Sequence, residues 1–175
     1  MTPEFSRPVR IDTIGDEPRA ITISAEPKEC VALAARFGLV GIDRLEADFN
    51  VHRTGETIHA EGRLRGQAIQ SCVATGEPLA AVVDTAFSLR FVPDSAGEPG
   101  GEEVELSDAD CDVLTYADGA VDLGEAAAET LLLALDPFPR SANADAVLKA
   151  AGVLAEDEAG PFAALKGLRD KLGKA

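Results

Sequence analysis

The sequence predicts an α+β fold: an antiparallel β meander or partly closed sheet packed against an apolar helix, with an N-terminal helix and an amphipathic C-terminal helix. Three observations predict it. Residues 45–52, 58–68 and 79–91 alternate apolar and polar side chains at period two, as half-buried strands do. Residues 123–135 form a helical run that is apolar almost all round, the pattern of a core helix. Residues 161–172 place Phe162, Leu165, Leu168 and Leu172 at helical spacing opposite Lys166, Arg169 and Lys171.

Taken in order, residues 21–24 are short and β-like. Pro27 stands where a first helical residue is favoured, Cys30, Val31, Leu33, Ala34 and Phe37 supply apolar positions, and Gly38 stops the helix. Leu45, Ala47, Phe49 and Val51 then share one strand face, with Glu46, Asp48, Asn50 and His52 on the other. The turn Arg53-Thr54-Gly55-Glu56 leads into Ile58, Ala60, Gly62, Leu64, Gly66 and Ala68, completing a long antiparallel hairpin. A second turn at Thr75-Gly76-Glu77-Pro78 opens the third strand. Phe49, Leu64, Val83, Phe87 and Leu89 are expected to face the core beneath the 123–135 helix, because a sheet with one apolar face must bury it.

Residues 93–110 are rich in Gly, Pro, Ser and acids, too polar to offset their ordering entropy, and read as a mobile acidic loop. Residues 113–116 with the Asp118-Gly119 turn add a short strand or a hairpin. Asp122, followed three positions later by Glu125, resembles a capping box, and the helix it opens ends before Pro137. Residues 1–155 are expected to be one domain, and 156–175 an acidic linker with the amphipathic helix.

The charge is uneven. The 175 residues carry a net −15, yet residues 91–139 contain no Lys or Arg and 13 acids, while the rest of the chain holds 18 acids against 16 bases. A field of that sign repels phosphate backbones and attracts a basic protein. Glu102, Glu103, Glu105, Asp108 and Asp110 are therefore the candidate partner-binding surface. The alternative is a basic hairpin face, with Arg53, Arg63 and Arg65 beside His52 and His59, that contacts RNA directly. RNA-binding sheets usually add exposed aromatics for base stacking, whereas Phe49, Phe87 and Phe91 sit on the apolar parity here. No apolar run approaches the roughly 20 residues of a membrane span, and the first ten residues lack a signal-peptide pattern, so a cytoplasmic location is expected.

No phosphate-binding glycine loop, nucleophile elbow or metal-protease motif occurs, so no catalytic residue is assigned and an enzyme is not expected. Asp108-Ala109-Asp110-Cys111-Asp112 opens like a calcium loop, but Val113 replaces the turning glycine and Gly119 the closing bidentate glutamate. Cys30, Cys72 and Cys111 are odd in number and include no Cys-x-x-Cys pair. Neither a cofactor nor stoichiometric zinc or calcium is expected. His52 and His59 can meet across the hairpin, yet no nucleophile stands beside them, and Cys72 has the parity of an inert core thiol.

Several stretches, in order along the chain, resemble the YceD family of large ribosomal RNA subunit accumulation proteins in its alphaproteobacterial form. They are Phe5-Ser6-Arg7-Pro8-Val9, Ala34-Ala35-Arg36-Phe37-Gly38-Leu39, Gln70-Ser71-Cys72-Val73 with Glu77-Pro78, Val121-Asp122-Leu123, residues 131–140, and residues 161–166. The resemblance implies a bacterial, non-enzymatic role in the synthesis, processing or stability of 23S ribosomal RNA. Together with the acidic stretch, that role makes a basic ribosomal or RNA-processing protein the expected partner, and with the hairpin arginines the alternative is pre-ribosomal RNA itself. Many members carry a Cys-x-x-Cys pair at the second turn; here Thr75 holds the second position.

Overall fold

The three alternating runs are strands β3 (Gly41–Thr54), β4 (Thr57–Ser71) and β5 (Pro78–Pro93) in the computed structural model, which describes residues 3–94 and 112–153. Before them come β1 (Pro8–Arg10), β2 (Arg19–Ser24) and helix α1 (Pro27–Phe37); after them come β6 (Val113–Tyr116), β7 (Ala120–Asp122), α2 (Leu123–Ala134) and α3 (Ala144–Ala150). Five strands form one mixed sheet in the order β2-β3-β4-β5-β6, and β1 pairs with β7 in a second, two-stranded sheet. The larger sheet is open, with β2 and β6 at its edges.

The expected hairpin is present: β3 pairs antiparallel with β4 from Gly41↔Ile69 to Thr54↔Thr57 around Gly55, whose φ of 64° suits the turn. Residues 113–116 add a strand rather than half of a hairpin. They run parallel to β5, and the turn at Asp118 (φ 55°) and Gly119 (φ 67°) sends the chain on to pair with β1.

The described residues fall into two compact units, one of residues up to Gln70 with Ala80–Pro137, the other of Ser71–Leu79 with Phe138 onward. The first holds the core. Phe49, Leu64, Val83 and Leu89 are buried and Phe87 is partly buried against them, its ring 4.8 Å from that of Phe49. Helix α2 contributes Leu123, Ala126, Ala127, Ala128 and Leu131. It is not the sole cover, because α1 also packs on β3 through Cys30, Leu33 and Ala34. Length explains the correction: a 12-residue helix is about 18 Å long and a 14-residue strand about 46 Å, so one helix cannot roof the sheet.

Helix α1 starts at Pro27 behind a capping box of Glu26 and Glu29, and Gly38 at φ 66° ends it. Two strand glycines make room for larger neighbours. A Cβ on Gly62 would collide with the Asp48 carbonyl and lie 2.9 Å from the Phe87 ring, and one on Gly66 would lie 2.5 Å from Leu131 Cδ1. Neither β1 nor α3 is legible in the sequence, since three and seven residues are too short for periodicity to register. The helix expected at 161–172 and most of the acidic loop lie outside the described residues. Among the described residues, no helix is long and apolar enough to cross a membrane.

Candidate functional site

The acidic candidates Glu102, Glu103, Glu105, Asp108 and Asp110 lie outside the described residues. What frames them is described. The Asp94 amide donates to the Tyr116 carbonyl and the Arg90 amide to the Asp112 carbonyl, each 2.9 Å, at the two ends of the four-residue β5–β6 pairing. The stretch therefore leaves at one end of that pairing and returns at the other, as a parallel connection must.

The three arginines do not form one basic face. Arg63 and Arg65 stand on the outer face of β4, where Arg63 is ion-paired with Asp84 on β5 and Arg65 with Asp48 on β3 at 2.9 Å. Arg44 is likewise paired with Glu46 on the same face. Arg53 is opposite Ile58, which is fully buried, so it belongs to the other face, where its Nε donates to the Gly55 carbonyl at 2.6 Å. His52 and His59 do meet: they are cross-strand partners with nearly parallel rings, centroids 4.8 Å apart.

Asp122 gathers more than the helix start the sequence assigned to it. Its Oδ1 accepts from the Gly124 and Glu125 amides at 3.0 and 3.2 Å and from the Arg7 amide at 2.8 Å, while Oδ2 accepts from the Ser6 hydroxyl. Glu125 is engaged by Arg36, which also reaches Glu4 at 3.0 Å. Arg7 forms a two-pronged pair with Glu29 at 2.8 and 2.9 Å, and this hydrogen-bonded guanidinium holds the Glu29 carboxyl below its ordinary range. The chain's N-terminal segment is thus tied to both α1 and α2.

In the second unit, Cys72 follows the end of β4 and its amide donates to the Glu77 carbonyl, while the Gly76 amide donates back to Cys72. The Ser141 amide donates to the sulfur at 3.3 Å and the Ser141 hydroxyl lies 3.5 Å away. Glu77 closes the turn, accepting from Thr75 Oγ1 at 3.1 Å and Asn143 Nδ2 at 3.4 Å.

A family model, the large ribosomal RNA subunit accumulation protein YceD, matches residues 60–169. The chain belongs to the YceD family. Neither a curated protein nor a solved structure matches it significantly. The family's description ties this YceD chain to accumulation of large-subunit ribosomal RNA. The matched span contains the Cys72 turn and Asp122, and the motif at Phe5–Val9 lies outside it but is bound to Asp122 through Ser6 and Arg7.

Cys72 in this YceD chain is buried, as its parity implied, and its sulfur accepts a hydrogen bond from the Ser141 amide. Hydrogen bonding to Thr75, then to Ser141, pulls the thiol down to about 6, against the opposing effect of burial. Thr75 thus supports the sulfur from within the same turn. The sequence offered no signal for this, because Ser141 lies 69 positions away. A thiol acidified by folding stabilises the fold fully above its unfolded pKa of about 8.5 and loses that contribution as pH falls through about 6. We expect the Cys72 Cβ resonance to titrate near pH 6 and to move up in Thr75→Val; an unshifted midpoint in the variant removes Thr75 from this role.

Proposed function

We propose that this chain is a non-enzymatic accessory factor in ribosome biogenesis that supports synthesis, processing or stability of 23S rRNA by binding a basic ribosomal or RNA-processing protein. Its binding surface is the acidic stretch centred on Glu102, Glu103, Glu105, Asp108 and Asp110. The observation that carries this reading is the charge pattern: 13 acids and no Lys or Arg across residues 91–139, in a family tied to large-subunit RNA. Such a field speeds encounter with a cationic partner.

The competing reading, direct RNA binding by Arg53, Arg63 and Arg65, is weakened by the sheet. Asp84 and Asp48 ion-pair with two of these arginines and the third belongs to the other face, so among the described residues these three do not make one uncompensated basic stripe for a phosphate backbone. Pull-down at low and moderate salt, followed by mass spectrometry and RNA sequencing, separates the readings. We expect a basic protein to be retained after nuclease treatment and released as salt rises, since exposed charges are screened over roughly 8 Å at physiological ionic strength. Recovery of RNA alone, lost on nuclease treatment, reverses the assignment.

A further inference from the structure

We propose that His52 and His59 form a surface chelate for a divalent transition-metal ion of the Cu²⁺, Ni²⁺ or Zn²⁺ class, held reversibly on the outer face of the sheet. The two residues are direct partners in the β3–β4 pairing, and residues so placed bring their Cβ atoms within about 5 Å on one face. Their rings are 10° from parallel with centroids 4.8 Å apart, so both edges are presented together. Each imidazole has the other as its ring contact, and among the described residues neither is engaged by a hydrogen bond or an ion pair. Ring nitrogens without a protein partner, paired on a rigid ladder, are what these metals bind; imidazole suits all three, with nitrogen-to-metal distances of about 2 Å. A small rotation of the rings brings one nitrogen from each toward a common ion.

Among the described residues no group of three or more ligating side chains stands together, so water fills the remaining coordination positions and the site exchanges its metal. This separates it from the closed structural sites that hold a stoichiometric ion. The next pair along the same face, Asn50 and Glu61, supplies polar groups that can bond the metal-bound waters.

These are the chain's two histidines, so imidazole resonances report on the site directly. Paramagnetic Ni²⁺ added to the full chain at substoichiometric amounts should broaden both imidazole signals with one shared midpoint. In His52→Asn or His59→Asn the remaining signal should need about a hundredfold more Ni²⁺, because the second attachment is no longer intramolecular. Equal Ni²⁺ sensitivity in parent and variants, or carboxylate signals broadening before the imidazoles, overturns the proposal. Unchanged amide signals of Val51 and Ala60 verify that the hairpin is intact in each variant. If a variant disturbs them, the parent alone decides: one shared midpoint supports the chelate and two separate midpoints refute it.

Discussion

Gly62→Ala should destabilise the fold by about 3 kcal/mol, the upper part of the usual range for an overpacked core. For a chain of this size that lowers the melting temperature by roughly 10 °C. The reason is local and unyielding. Gly62 lies opposite Phe49 in the hairpin, the Asp48 carbonyl occupies the place of the missing Cβ, and the Phe87 ring is 2.9 Å from it. Neither obstacle is the end of a flexible chain, since one is strand backbone and the other a ring packed on Phe49. Gly15→Ala is the matched control, with open space where its Cβ would go, and should be close to neutral. A Gly62→Ala protein that melts with the parent would show that Phe87 does not cover this position.

Asp122→Ala should cost about 3 kcal/mol as well, read from the denaturation midpoint at unchanged slope. Loss of the helix cap alone accounts for about 1 kcal/mol. The remainder comes from the Arg7 amide and the Ser6 hydroxyl, which lose their acceptor where β1 meets β7. Asp122→Asn keeps an acceptor oxygen for the amides and should recover most of the loss. If alanine costs no more than about 0.5 kcal/mol, the carboxylate is an ordinary surface group and the N-terminal segment is held by other contacts.

These two residues show where sequence reading reaches and where it stops. Alternation identified the faces of β3, β4 and β5 because one side of a sheet is buried and the other is not, and Leu64 and Phe49 follow it. The cap at Asp122 was legible from its spacing to the helix, but its bonds to Ser6 and Arg7 span 116 and 115 positions and leave no local pattern. Grouping Arg53 with Arg63 and Arg65 followed their shared charge, whereas the strict parity of the strand sets Arg53 with Val51 and Ile58. The pairing of Arg63 and Arg65 with Asp84 and Asp48 also required the cross-strand register, which fixes the charge a partner meets. The acidic stretch was legible only as charge, which predicts the sign of a partner without its contacts.

Large-subunit ribosomal RNA, quantified in cells that carry a variant as their only copy of this chain, tests the acidic-surface reading most directly. One variant combines Glu102→Gln, Glu103→Gln, Glu105→Gln, Asp108→Asn and Asp110→Asn; the other combines Arg53→Gln, Arg63→Gln and Arg65→Gln. We expect the arginine variant to sustain 23S rRNA at the parent's level, while the acidic variant lets it fall and captures the basic partner about tenfold more slowly at low salt. Normal 23S rRNA with the acidic variant, together with its loss in the arginine variant, would contradict the account and assign the work to direct contact with RNA.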